Sequence, residues 1–329
     1  GDRAVPDLLM RRPAATRGLA ALAASVLVPA TSLAHEGKPL EPHDLWSAWA
    51  LDPWIIVPLV LLAVLYATGL RRLWGRAGTG RGVSRGVAAA HAAGWVVLAI
   101  ALLSPIHALG EVLFSAHMVQ HELLVALAAP LLTVGRPGVV LAWGLPPGWR
   151  PRVGRFLARA PVRAAWRALT LPVVAFALHA AALWLWHAPG LYQRSLTSDL
   201  AHAAQHASFL GTALLFWWSV LRPLRERGLE ARKARGVAAL SLFATMIHSG
   251  ALGALLTFAP SLWYPAYGAT TMAWGLMPLE DQQLAGIAMW VPSGASYLVA
   301  TLVLLAGVLR EPAARGRLAA AALLLVALA

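Results

Sequence analysis

The sequence predicts an all-α fold, a polytopic transmembrane helical bundle of about seven spans after an N-terminal signal segment, and three observations carry that expectation. Hydrophobic residues make up 59% of the chain and charged residues only 12%, with a mean hydropathy of +0.65, which is the composition of a chain solvated by lipid. Seven stretches are long and apolar enough to cross a hydrocarbon core about 30 Å thick. Basic residues alternate from one connection to the next. The segments 71–85, 135–167, 222–235 and 310–317 hold 21 Lys and Arg, whereas 35–52, 104–112, 188–200 and 259–283 hold only Lys38 and Arg194. A net charge of +13 spread this way signals orientation rather than a nucleic-acid face.

The elements follow in order. Residues 1–34 read as a signal peptide or extra N-terminal segment, with a basic start at Met10, an apolar run over 19–34 and a cleavage point after Ala34. Residues 35–52 then form a periplasmic segment. The membrane domain occupies 53–310, with spans at 53–70, 87–103, 113–134, 169–187, 201–221, 236–258 and 284–309. Pro58, Pro130, Pro172 and Pro292 fall inside these spans and predict kinks, whose freed carbonyls need other partners. Trp46, Trp49, Trp54, Trp184, Trp186, Trp263, Trp274 and Trp290 gather at one set of span ends, as an interfacial belt does. Residues 311–329 form a cytoplasmic or interfacial tail. The basic connections belong inside, so the mature N-terminus is expected in the periplasm and the C-terminus in the cytoplasm of a bacterial inner membrane. The signal segment requires the same orientation.

Eleven histidines and no cysteine define the chemistry. An imidazole in hydrocarbon is costly unless it binds something. His117 and His121 open the third span, and His202 and His206 open the fifth, at the same four-residue spacing and similar depth. Residues four apart share a helix face, so each pair can converge on one ion, as one four-ligand site or two smaller ones. His187, His107 and His248 are further candidate metal ligands, the first two near the outer boundary and the third past the middle of the sixth span. Met118, Glu122 and Met246 neighbour these histidines, and Asp281 before the last span is placed to balance a cation or orient an imidazole. His91 and His179 fall outside this set. Without thiolate, a soft metal must use imidazole and thioether. Nitrogen sites favour copper among divalent ions, and methionine favours copper(I). Zinc also suits four histidines, and bis-histidine haem ligation is the rival.

Four strings, HMVQHELLVALAAPLLTVGRP (117–137), LWHAPGLYQRSL (185–196), HAAQHASFLGTALLFWWSVL (202–221) and DQQLAGIAMWVPSGASYLVATL (281–302), resemble the CtaG family of caa3-type cytochrome c oxidase assembly factors, in order and over about residues 50–310. The resemblance implies a seven-helix inner-membrane protein that helps mature a haem-copper oxidase. The expected reading is a copper-handling assembly factor rather than a turnover enzyme. Its partners would be oxidase subunits (subunit I foremost), a periplasmic copper donor and the lipid bilayer, with no nucleic acid. The alternatives are a haem-binding membrane redox protein and a structural chaperone whose histidines only pack.

Overall fold

The computed structural model describes residues 39–226 and 228–309. The expected signal segment 1–34 and the tail 311–329 lie outside the described residues.

Twelve α-helices account for the bundle and its connections among the described residues. Helix α1 is Pro53–Ala77, α2 is Arg85–Leu103 and the short α3 is Pro105–Val112. The continuous span Phe114–Val134 is α4. Three short helices follow, α5 (Pro137–Gly144), α6 (Arg150–Leu157) and α7 (Ala160–Leu169). Then come α8 (Pro172–Trp186), α9 (Pro189–Thr197), α10 (Asp199–Leu221), α11 (Leu229–Thr257) and α12 (Pro278–Leu309).

Helices α1, α2, α4, α10, α11 and α12 are each long and apolar enough to cross a membrane. The fourth expected span departs from this. Pro172 does not kink it but starts α8, where its fixed φ suits the first helical position. The residue before a proline avoids helical backbone, so α7 and α8 meet at a 65° bend. Fifteen residues of α8 reach about 22 Å, so this passage completes a span only together with α7.

Helix α4 is the central post. Over its most apolar stretch it is 78% buried, against 11% for α1. A carboxylate and a guanidinium close its two ends. Asp281 accepts from the backbone N–H groups of Phe114 (2.7 Å) and Ser115 (3.1 Å), which suits the positive end of a helix dipole. Arg225 donates to Thr133 O (3.1 Å) and Val134 O (3.0 Å) at the other end. Between them, Leu123–Ala128 is π-helical. The Ala129 N–H reaches back to Leu124 O. In that register Val125 O would pair with residue 130, a proline that has no N–H. Trp217 Nε1 fills the gap, donating to Val125 O at 2.9 Å.

Helices α11 and α12 pack closely through Gly253 and Gly286, where a Cβ on Gly286 would lie 2.6 Å from Gly253 O. Small residues let membrane helices approach this far. The far ends of the bundle carry arginines used as caps. Arg72 donates to Gly144 O (2.8 Å) and Leu145 O (2.9 Å), and Arg235 to Gly307 O (3.0 Å). The near ends carry histidines instead.

Candidate metal centre

The histidine end is built by two helix faces with the same pattern. Helix α4 presents His117, Gln120, His121 and Leu124, and α10 presents His202, Gln205, His206 and Phe209. Positions i, i+3, i+4 and i+7 share a face, and the two faces oppose each other. The ring centroids of His117 lie 5.4 Å from His202 and 5.8 Å from His206, and those of His121 and His206 are 5.3 Å apart. From α3, His107 approaches His202 at 5.4 Å and His206 at 6.2 Å.

These rings make two triads. His107, His202 and His206 bring ligand atoms within 4.8 Å of one another, and so do His117, His121 and His206. The first triad is half-buried and reaches the surface, whereas the second is fully buried. His206 belongs to both. Nε2 of His117, His202 and His206 and both ring nitrogens of His121 are buried with no protein hydrogen-bond partner. Buried polar atoms are ordinarily paired, so a cluster of imidazole nitrogens with no protein partner could serve as a ligand set for a metal ion.

The supporting contacts fix which nitrogen is bare. His117 Nδ1 lies 3.2 Å from Gly110 O, which also accepts from Tyr267 Oη at 3.0 Å. A carbonyl only accepts, so the proton sits on Nδ1 and the Nε2 lone pair points inward. Gln120 Nε2 donates to Ala101 O (2.7 Å) and to His107 Nδ1 (2.9 Å). Neutral His107 therefore carries its proton on Nε2, and must shift it or leave Gln120 to bind an ion. Gln205 is buried with its amide beside His117, although neither amide atom completes a hydrogen bond. Neither glutamine was singled out in the sequence, although the repeated H-x-x-Q-H pattern held the signal.

Aromatic rings roof the centre. Tyr192, Tyr264, Tyr267 and Phe114 pack together with ring centroids 4.3–6.4 Å apart. Burial pushes the three phenols far above their ordinary range, so they act as neutral donors. At the mouth, Asp52 lies near His107 and Asp199 near His202 and Glu111. Burial lowers the His107 imidazole, and Asp52 opposes that shift.

The remaining candidates fall elsewhere. His187 ends α8 with its ring 6.3 Å from His121, beside the buried triad but not in it. Its Nε2 faces Met118 Sδ at 3.4 Å. His248 is not brought to the cluster: at its level α11 packs on α8, where its Nδ1 accepts from Trp184 Nε1 (3.3 Å) and its ring meets Phe176. Met246 packs against the main apolar core. Glu122 turns toward Ser293 on α12. Asp281 is fully buried and orients no imidazole; it holds the start of the helix that carries two of them. His91 is a satisfied core histidine, with Nδ1–H donating to Leu132 O (2.7 Å) and Nε2 accepting from Trp95 Nε1 (3.1 Å).

The sequence profile of the cytochrome c oxidase caa3 assembly factors matches residues 64–311. Uncharacterized proteins of Mycobacterium bovis and Mycobacterium tuberculosis are each 28% identical over 269 residues, covering 74% of this chain and 37% of theirs. One of Mycobacterium leprae is 24% identical over 268 residues, covering 79% of this chain and 39% of its own length. The chain thus spans less than two fifths of the length of these curated relatives. No solved structure matches.

Proposed function

This chain belongs to the cytochrome c oxidase caa3 assembly factor family, and from that premise we propose that it takes up copper at the histidine end of the bundle and passes it to the immature oxidase. The observation that carries this reading is the pair of triads sharing His206, one half-buried and one fully buried. An ion that enters the surface triad can reach the buried one by ligand exchange, keeping His206 as a ligand throughout. Copper suits such handling because it binds nitrogen and sulfur ligands tightly and indiscriminately, and a closed site limits its loss.

Orientation belongs to the same proposal. The histidine end faces the periplasm, because the opposite end carries the arginines. Among the described residues of the histidine end, Glu41, Asp44, Asp52, Glu111, Asp199 and Glu280 outnumber the basic Arg194, a field that attracts cations. The partners on this reading are a periplasmic copper donor and an oxidase subunit whose copper site lies in the outer half of the membrane, subunit I foremost. The close packing of the imidazoles, with centroids 4.3 Å apart within each pair, favours a small ion over a flat macrocycle.

Deleting the gene is expected to leave oxidase subunits transcribed but the enzyme deficient in copper, with partial rescue by added copper. A fully metallated oxidase in the deletion strain would sink the proposal. A Soret band on the purified protein would replace copper with haem.

A further inference from the structure

Met118 and His187 make a contact that hydrogen bonding does not explain. His187 Nδ1 lies 2.6 Å from Leu183 O, and since a carbonyl only accepts, Nδ1 carries the proton. Nε2 of the neutral ring is then a bare lone pair. Facing it at 3.4 Å is the thioether Sδ of Met118, which has no proton to offer. Both side chains are buried, at 2% and 1% exposed. Protonating His187 would supply an N–H toward sulfur, but a buried imidazolium without a carboxylate partner is costly. His91 provides the contrast within the same molecule. Its Nδ1 also donates to a carbonyl, yet its Nε2 meets a true donor, Trp95 Nε1.

We propose that Met118 Sδ and His187 Nε2 form a binding site for a soft monovalent cation, copper(I), adjoining the buried triad. The proposal rests on the copper-handling reading and extends it. With metal–nitrogen and metal–sulfur bonds of about 2.0 and about 2.3 Å, a 3.4 Å separation lets both atoms reach one ion at a bent angle. A third position stays open on that ion. His121 is the neighbour able to fill it, having two unpaired ring nitrogens and a centroid 6.3 Å from His187 and 4.3 Å from His117. An ion leaving the buried triad therefore exchanges His117 and His206 for sulfur and one imidazole while His121 stays bound. No electron moves in this exchange; the ion arrives and leaves as copper(I). Thioether selects copper(I) over zinc(II), so this step filters the metal that the all-imidazole triads accept.

The test uses the full chain in detergent, loaded anaerobically with one equivalent of copper(I) and measured by X-ray absorption. The wild type should show a sulfur scatterer. Met118→Leu, which keeps the volume, should remove it and weaken copper(I) binding by about tenfold or more. Zinc(II) binding by the triads should be unchanged in that variant, which also shows that it folds. His187→Gln should likewise lose copper(I) affinity and spare zinc. A sulfur signal that survives Met118→Leu, or a wild type with nitrogen scatterers alone, overturns this site and leaves the triads standing. A wild type that binds neither metal overturns both readings.

Discussion

At the scale of single residues, His206 matters most because both triads include it. His206→Ala is expected to bring bound metal below half of the wild-type stoichiometry, measured on the purified full chain by elemental analysis. His107→Ala should cost less, within about tenfold in affinity, because the buried triad survives and because Gln120 already competes for that ring. Equal losses in the two variants would mean that the shared ligand has no special place. The four paired histidines were legible in the sequence because helical spacing alone puts each pair on one face. His107 was legible as a candidate ligand near the outer boundary, but not as the neighbour of His202 and His206. The meeting of Met118 with His187 was not legible, since it depends on the end of α8 reaching the first turns of α4, 69 residues apart in the chain. His248 misled for the same reason: depth along a helix can be read from sequence, but the neighbour at that depth cannot.

At the scale of elements, α4 illustrates how a span that is irregular in its backbone is held. The π-helical turn leaves Val125 O to Trp217 Nε1. Trp217→Phe keeps an aromatic ring but strands that carbonyl, so a loss of about 1–3 kcal/mol is expected, seen as a lower apparent Tm in a fixed detergent. Pro130 predicted a freed carbonyl in this helix; which side chain would answer it lay 92 residues away. At the head of α4, Asp281→Ala removes the acceptor for Phe114 and Ser115. That variant should lose a comparable amount of stability and weaken metal binding together, because His117 and His121 stand in the next turns. Unaltered metal affinity in a destabilised Asp281→Ala protein would separate the cap from the site.

At the scale of the whole molecule, charge and chemistry divide between the two ends of the bundle. The chain has no cysteine, so single cysteines report cleanly. Thr197→Cys and Ala164→Cys, at exposed positions beside α10 and within α7, should label from the periplasmic and cytoplasmic sides respectively. Labelling from one side would overturn the proposed orientation. Six passages were legible from hydropathy and charge as unbroken helices, while the bend in the fourth was not, because apolar composition continues through the break that Pro172 imposes. One consequence concerns mechanics. Helices α4 and α10 are fastened to each other at the arginine end by Arg225 and at mid-height by Trp217, and Asp281 holds the histidine end of α4, whereas His202 and His206 stand on α10 beyond those fastenings. The pair has the form of tweezers with a fixed pivot. Eleven residues separate Trp217 from His206, a lever arm of about 16 Å. On that arm a tilt of about 4° parts the tips by about 1 Å, enough to unmake a metal–nitrogen bond. Whatever leans on the tips of α10 therefore sets the grip on the ion without touching an imidazole.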